Sequence, residues 1–185
     1  MGRDKLPLMV GGASLLNRVY AALSPMCEEI LVVGRGGPVS ARCRHVPDLR
    51  SGREGPLAGI EAGLSAARHR CVFVAAGDLP FLPSDLVGHL LGLLSARVLA
   101  AVPFSGGRLH PLCAAYDREL RPAVSAALDR NVRSARGLLE GLSGVRYVED
   151  HELWHFGDPE LLLMNVNSPE DLARARAAFH EGVVF

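Results

Sequence analysis

An aspartate directly after an apolar run is the residue with the clearest chemical potential. Residues 72–76 are all apolar and predict a central strand that stops at Gly77 and Asp78. A carboxylate at the carboxyl end of a buried strand lies where α/β sheets bind ligands, and Mg²⁺ prefers such hard oxygen ligands together with phosphate oxygens. Asp78 is therefore a candidate metal ligand. Its turn-forming neighbours also allow an aspartate that only bonds its own backbone ahead of Pro80.

Lys5 is the single lysine in a chain whose other basic residues are 19 arginines. A lysine presents a compact charge on a flexible stem, which differs from the planar fork of arginine. Lys5 is therefore a candidate for a role that arginine cannot fill. The alternative is that it is a lysine without a function, retained by chance near a terminus. Residues 2–5 lack the GxxxxGK[ST] pattern, so this is not a Walker loop.

Gly55, Pro56 and Leu57 precede a predicted helix of small residues. Glycine and proline at a helix start allow close backbone approach, and the free N–H groups there suit an anion or the edge of a base. The alternative is that these residues only begin the helix and allow close packing there.

Further polar residues fall at or near predicted strand ends. His110 and Pro111 follow one such run, and Asn165 and Asn167 end another. Asn167 and Ser168 have the residue types that commonly cap a helix, and Asp171, three residues after Ser168, predicts a capping box there. A binding role and a capping role are both open for them.

The bulk composition restricts the class of protein. The 185 residues carry a formal net charge of zero, so no electrostatic argument for nucleic acid or an anionic membrane follows. No pair of the four cysteines has CxxC spacing, which gives no sign of a zinc or redox site. The chain shows no signal-peptide pattern and no apolar run long enough to span a membrane. We expect a cytoplasmic protein with no membrane or nucleic-acid partner.

Short β-rich runs alternate with amphipathic stretches, which is typical of an α/β sheet. Strands are predicted at 30–33, 43–46, 72–76, 98–102, 109–116, 145–148 and 161–166, the fifth of them with a kink at Pro111. Helices are predicted at 14–23, 59–67, 83–94, 118–128, 132–142 and 168–179. The expected fold is a single Rossmann-like α/β domain over residues 1–185. Its sheet is expected to be mainly parallel, with helices on both faces and ligands at the carboxyl ends of strands.

Taken in order, these segments resemble the molybdenum cofactor guanylyltransferases, the MobA-like branch of the nucleotidyltransferase superfamily. The opening residues match the end of that family's Arg-Met-Gly-x-Asp-Lys signature. The later matches occur in the family's order and cover nearly the whole chain: Gly55-Pro56-Leu57-Ala58-Gly59, Gly77-Asp78-Leu79-Pro80-Phe81, His110-Pro111 and Asn165-Val166-Asn167-Ser168-Pro169. The last two segments favour the molybdopterin branch over relatives that use cytidine or sugar phosphates.

The resemblance implies a reaction in which the phosphate of molybdopterin attacks the α-phosphorus of GTP. Pyrophosphate leaves, and the guanine dinucleotide form of the cofactor results. Lys5 would neutralise GTP phosphates and Asp78 would hold Mg²⁺. The other implied contacts are Gly2, Asp48, Gly55, Pro56 and Leu57 for the nucleotide, and His110, Pro111, Asn165 and Asn167 for the pterin. Molybdoenzymes or cofactor-delivery proteins are the implied partners.

Two departures from the family pattern leave alternatives open. The family's first strand and glycine-rich phosphate loop lie ahead of the motif that here starts at Met1, so we expect the domain to be N-terminally incomplete. Relatives often carry asparagine where this chain has Gly34, which leaves base selectivity open. The alternatives are a cytidylyl- or sugar-nucleotide transferase of the same fold, or a non-catalytic nucleotide- or pterin-binding remnant.

Overall fold

The computed structural model describes residues 7–34, 40–50 and 55–182. In chain order the elements are β1 (Met9–Val10), β2 (Ala13–Ser14), α1 (Leu15–Leu23), β3 (Ile30–Val33), β4 (Cys43–Val46), α2 (Pro56–Ala66), β5 (Cys71–Ala75), α3 (Ser84–Gly92), β6 (Ala100–Ser105), β7 (Arg108–Leu109), β8 (Cys113–Asp117), a 3₁₀ turn (Arg118–Leu120), α4 (Arg121–Asp129), α5 (Ala135–Leu139), β9 (Val145–Glu149), α6 (Asp150–Leu153), α7 (Pro159–Leu162) and α8 (Pro169–His180).

The largest sheet is built around β6 and β8. β8 lies between β5 and β6 and is antiparallel to both, β7 forms a hairpin with β6, and β9 pairs with β6 in parallel. A separate parallel pair joins β3 to β4, and a short antiparallel pair joins β1 to β2.

The expected single α/β domain is confirmed, but its described strand pairs are mostly antiparallel rather than mainly parallel. The reason is the hairpin after β6. Gly106 and Gly107 both have positive φ, at 56° and 72°, and turn the chain back on itself. The returning chain then inserts as β8 beside β5 instead of crossing over a helix.

Helices cover both faces of this sheet. On one face, α2, α4 and α5 pack against Val102 and Tyr116. On the other face, α1, α3 and α6 pack against Ala101 and Ala115. The two sets of strand residues alternate along β6 and β8, as the pleat of a strand requires. A smaller third cluster joins β1, Phe81 and Val166 to α8.

One predicted strand is wrong, and another, expected to kink at Pro111, is divided there. Residues 161–166 are not a strand, because Asp158 accepts a hydrogen bond from the N–H of Glu160 and, with Pro159, starts α7 instead. The predicted strand 109–116 is divided by a turn at Pro111, which cannot donate to a sheet. The hydroxyl of Tyr116 donates to the Pro111 carbonyl at 2.8 Å and fixes that turn.

Within the described residues, no helix combines the length and the apolar character that crossing a membrane requires.

Candidate active site

Asp78 lies just beyond β5, where the strand reaches the edge of the sheet. The Asp78 backbone carbonyl accepts a hydrogen bond from the N–H of Val166 at 3.0 Å. The Asn165 side-chain amide donates to Asp78 Oδ1 at 3.4 Å. Both side chains are half-buried. The structure therefore brings together two predicted site residues that are 87 positions apart in sequence.

The turn that contains His110 and Pro111 lies at the same edge. The N–H of Ala76 donates to the Leu112 carbonyl at 2.7 Å, so the turn is hydrogen-bonded to the chain two residues before Asp78. The N–H of His110 donates to the Pro103 carbonyl at 2.9 Å. Burial, followed by the charge of Arg108, lowers the pKa of His110 below its ordinary value. The imidazole is therefore neutral near pH 7 and available as a hydrogen-bonding group.

Asp48 lies at the end of the parallel pair formed by β3 and β4. The N–H of Gly34 donates to the Val46 carbonyl at 3.1 Å, which brings the two strand ends together. Gly34 has a φ of 81°, and a Cβ built on it would lie 3.5 Å from the Asp48 carboxylate. A side chain at position 34 would be strained and would face Asp48. Because residue 34 is glycine, no side chain faces the exposed Asp48 carboxylate from that position.

Gly55 begins α2 in a conformation that favours glycine, with φ 72° and ψ −173°. A Cβ at Gly55 would lie 3.1 Å from the Arg133 carbonyl. Pro56 occupies the first turn, and no side chain caps this helix end. The Leu57 side chain is fully buried in the core. Any contact of Leu57 with a nucleotide would therefore use its backbone.

Asp48, Gly55 and Pro56 line a single cavity of about 770 Å³, together with Ala75 and Ala76. The cavity is therefore lined both by residues predicted to face the nucleotide and by the end of β5, which precedes Asp78.

Sequence analysis did not identify Arg50, whose side chain anchors the segment after Asp48 to α2 and α4. Its guanidinium donates to the two carboxylate oxygens of Glu61 at 2.7 and 2.9 Å, and to Asp129 at 2.8 Å. The hydrogen bonds from Arg50 lower the pKa of Glu61. The one available signal was Glu61 itself, an acidic residue among the apolar positions of α2.

Asn167 has a structural role through its backbone. Its N–H and that of Ser168 donate to Asp171 Oδ2 at 2.9 and 2.8 Å, while the Ser168 hydroxyl accepts from the N–H of Asp171. The predicted capping box at the start of α8 is confirmed. A pterin contact by the Asn167 side chain stays a prediction.

Gly2 and Lys5 lie outside the described residues, so their predicted roles stay predictions. Within residues 7–34, 40–50 and 55–182, no three His, Cys, Asp or Glu side chains form a group that could hold a metal ion. The donor available at the sheet edge is the Asp78 carboxylate. A single hard oxygen ligand suits Mg²⁺ only where phosphates and water complete the coordination.

The fold is that of a nucleotidyltransferase. The structure of 2-C-methyl-D-erythritol 4-phosphate cytidylyltransferase from Thermus thermophilus matches it with a TM-score of 0.71 at 24% identity, covering 95% of this chain and 94% of the other. The structure of molybdopterin-guanine dinucleotide biosynthesis protein A from Archaeoglobus fulgidus matches with a TM-score of 0.80 at 28% identity, covering 97% and 92%.

Sequence comparison is more specific. The family described as MobA-like NTP transferase domain matches residues 1–148. A molybdenum cofactor guanylyltransferase from Cereibacter sphaeroides is 33% identical over 181 residues, which are 95% of this chain and 88% of the relative. The chain belongs to the MobA-like NTP transferase family and is a nucleotidyltransferase. The suspected family resemblance is thereby confirmed.

Proposed function

We propose that the protein transfers GMP from GTP to the phosphate of molybdopterin, forming the guanine dinucleotide cofactor and releasing pyrophosphate. The observation that carries this proposal is the meeting of Asp78 and Asn165 at one edge of the sheet. The His110 turn is hydrogen-bonded to the chain at that edge, and Asp48 and Gly55 line the adjoining cavity. In this proposal the Asp78 carboxylate serves the phosphate chemistry, Asp48 and Gly55 face the nucleotide, and the His110 turn faces the second substrate.

The reaction requires that the two substrates meet in line. An oxygen of the molybdopterin phosphate forms a bond to the α-phosphorus of GTP, and the bond from that phosphorus to the pyrophosphate oxygen breaks. Such a step depends on positioning and on stabilisation of charge rather than on covalent chemistry by the protein. The site residues then have two tasks, which are to orient each substrate and to balance the phosphate charge.

On the nucleotide side, the exposed Asp48 carboxylate can accept hydrogen bonds from the base or the sugar. The uncapped start of α2 after Gly55 and Pro56 offers backbone N–H groups, including that of Leu57, and the positive end of the helix dipole. Gly2 and Lys5 complete this side in the proposal, with the Lys5 ammonium placed against the phosphates.

The cofactor in this proposal is Mg²⁺, with Asp78 as its protein ligand. When bound, Mg²⁺ would supply positive charge to the phosphate oxygens and to the departing pyrophosphate. The Asn165 amide, 3.4 Å from Asp78 Oδ1, would hold the carboxylate in one orientation. The half-burial of both side chains limits competition from water.

On the pterin side, His110, Pro111, Asn165 and Asn167 are the proposed contacts. The neutral imidazole of His110 and the amide groups can donate and accept hydrogen bonds, which the polar edge of a pterin requires. The resulting cofactor would pass to molybdoenzymes or cofactor-delivery proteins. Residues 1–185 are proposed to act as one nucleotidyltransferase domain.

The test is pyrophosphate release by the purified protein with Mg²⁺, with GTP or CTP as donor and with or without molybdopterin. Release that needs both GTP and molybdopterin supports the proposal. Release with CTP would identify a cytidylyltransferase of the same fold instead. Nucleotide or pterin binding without turnover would identify a non-catalytic binding protein.

Two variants separate the sides of the site. His110→Ala and Asn167→Ala should raise the KM for molybdopterin while leaving the Kd for GTP near that of the unchanged protein. An equal loss of GTP binding and of molybdopterin use would contradict the proposed division. Glu170→Ala, which changes an exposed residue in the first turn of α8, is the matched control.

A further inference from the structure

Two of the proposed nucleotide contacts lie at the two ends of one connection. Asp48 lies two residues after the end of β4, and Gly55 directly precedes α2, with six residues between them in sequence. Both residues line the cavity of about 770 Å³. A nucleotide that contacts both of them therefore requires the connection to hold them at a fixed separation.

Arg50 lies in this connection, and its side chain is bound by three residues at once. The Nε and Nη2 atoms donate to the two carboxylate oxygens of Glu61 at 2.7 and 2.9 Å, and Nη1 donates to the Asp129 carboxylate at 2.8 Å. The Nη2 atom also donates to the hydroxyl and the carbonyl of Ser125 at 3.2 and 3.3 Å. All three nitrogens of the guanidinium are therefore engaged by protein atoms, two of them in the forked geometry that arginine offers to a carboxylate.

The ion pair between Arg50 and Glu61 is largely excluded from water. Glu61 is 5% exposed, and its neighbours Ile60 and Ala62 belong to the hydrophobic core. A buried carboxylate is costly unless it is paired and hydrogen-bonded. The hydrogen bonds from Arg50 lower the pKa of Glu61, so the carboxylate stays charged near pH 7 and holds the guanidinium in place.

The groups that bind Arg50 belong to packed helices. Glu61 lies in α2, Ser125 lies in α4, and Asp129 is the last residue of α4. The two helices contribute apolar side chains to the same core cluster: Ile60, Leu64, Val124 and Leu128. Two helices that are fixed by the core therefore hold residue 50, which is two positions from Asp48.

The turn after α4 supports the other nucleotide contact. The chain leaves Asp129, turns at Asn131, which has a φ of 62°, and continues to Arg133. A Cβ built on Gly55 would lie 3.1 Å from the Arg133 carbonyl, so the start of α2 packs closely against this turn. The segment 129–133 therefore contacts Arg50 at one end and Gly55 at the other.

We propose that Arg50 is a positioning residue for the nucleotide, whose guanidinium holds Asp48 at the separation from the start of α2 that one nucleotide requires. The inference rests on the proposed function, in which Asp48 and the start of α2 contact the same nucleotide. Arg50 acts through the position of Asp48, because its own donors are occupied by Glu61, Ser125 and Asp129. A segment that is already held in its binding position loses little conformational freedom when the ligand binds, which lowers the Kd.

The chain contains a second arginine that pairs with a buried carboxylate, and this pair provides a matched control. Arg70 Nε donates to Asp117 Oδ2 at 2.7 Å, and Asp117 is 1% exposed. Arg70 directly precedes β5, whereas Asp78 lies beyond the opposite end of that strand. Loss of this pair should therefore destabilise the fold without moving a nucleotide contact.

The experiment compares the unchanged protein with Arg50→Met, Glu61→Leu, the double variant Arg50→Met/Glu61→Leu, and Arg70→Met. The double variant replaces the ion pair by apolar side chains, a change that is often neutral or favourable for stability. Calorimetry measures the thermal midpoint and the Kd for GTP with Mg²⁺, the latter at a temperature at which the variants are folded. Steady-state assays measure kcat and the KM for molybdopterin.

Arg50→Met and Arg70→Met should both lower the thermal midpoint, because each leaves a buried carboxylate without its arginine. Only Arg50→Met should also raise the Kd for GTP, by roughly tenfold, since Asp48 then spends less time in its binding position. Glu61→Leu should raise the Kd similarly, because the guanidinium keeps its charge but loses its buried anchor.

The double variant separates positioning from stability. It should recover most of the thermal midpoint that Arg50→Met loses, while its Kd for GTP stays raised. Its kcat at saturating GTP and its KM for molybdopterin should stay within about twofold of the unchanged protein, because the groups proposed to act on the phosphates and the pterin are intact. If Arg50→Met does not fold, the double variant alone decides the inference.

Three results would overturn the inference. The double variant could bind GTP as tightly as the unchanged protein does. Arg70→Met could raise the Kd for GTP as much as Arg50→Met does, which would attribute the effect to lost stability. Finally, Glu61→Leu could leave the Kd unchanged while Arg50→Met raises it, which would show that Arg50 contacts the nucleotide directly.

Failure of the proposed function gives a different result. If the unchanged protein binds CTP in place of GTP, the proposed guanylyl transfer is wrong, and the same comparison of Kd values with CTP decides the role of Arg50. If the unchanged protein binds neither nucleotide, both the proposed function and the inference are wrong.

Discussion

The hydrogen bond between Tyr116 and Pro111 joins the core of the sheet to the turn that carries His110. Tyr116 is fully buried, and its hydroxyl donates to the Pro111 carbonyl at 2.8 Å. Tyr116→Phe keeps the ring and its packing but removes the donor, and it leaves the carbonyl without this partner. The loss of such a bond, with a half-buried acceptor, costs about 1–2 kcal/mol.

For a chain of this length that loss corresponds to a decrease of roughly 2–8 °C in Tm. Differential scanning calorimetry measures the change directly. Tyr147→Phe is the matched control because Tyr147 is exposed, and its Tm should stay within about 1–2 °C of the unchanged protein. If the proposed pterin side is correct, Tyr116→Phe should also raise the KM for molybdopterin. Equal thermal midpoints for the two variants would refute the role given to this hydrogen bond.

Three further predictions concern catalysis and pH. Asp78→Asn should lower Mg²⁺-dependent turnover on the order of 10³-fold with little change in Tm, because one hard ligand and one charge are lost. The control is Asp85→Asn, which changes an exposed residue at the start of α3. Near-normal turnover in Asp78→Asn would exclude this residue as the ligand. Lys5→Ala should raise the KM for GTP and Lys5→Arg should restore it poorly, since the two cations differ in shape; full activity in Lys5→Ala would remove the lysine from the site. The hydrogen bonds from Arg50 lower the pKa of Glu61 in the folded state, so their contribution to stability is present above the unfolded pKa of about 4.5 and is lost as pH falls through the folded pKa. Urea unfolding at stepped pH should show this loss, and a Glu61→Gln variant with an unchanged acid dependence would contradict it.

Elements whose form depends on residues close in sequence are predicted correctly from the sequence. The all-apolar run before Gly77 and Asp78 is a strand with the aspartate just beyond its end, as its composition predicts. Ser168, Pro169 and Asp171 form the expected helix start, since a capping box is completed by residues three positions apart. Such signals need no information from the rest of the chain.

The wrong strand prediction at residues 161–166 shows where local patterns fail. An apolar run such as residues 161–166 has no periodicity that separates a strand from a buried helix end. Its form was decided by Asp158, which caps α7, and by the bond between the N–H of Val166 and the Asp78 carbonyl. The antiparallel insertion of β8 between β5 and β6 was equally invisible, because strand order depends on contacts between distant segments.

The sequence by itself determined most of the elements, the α/β class and the chemical types of residue at the sheet edge, because each depends on local spacing and on the order of motifs. Only the tertiary structure decided which of those residues meet. Asn165 reaches Asp78 across 87 positions, and Arg50 reaches Asp129 across 79. The open cavity between β3 and β5 also became visible only in three dimensions. Hydrogen bonds and packing between remote segments form only when the whole chain has folded, so no short stretch of sequence contains them.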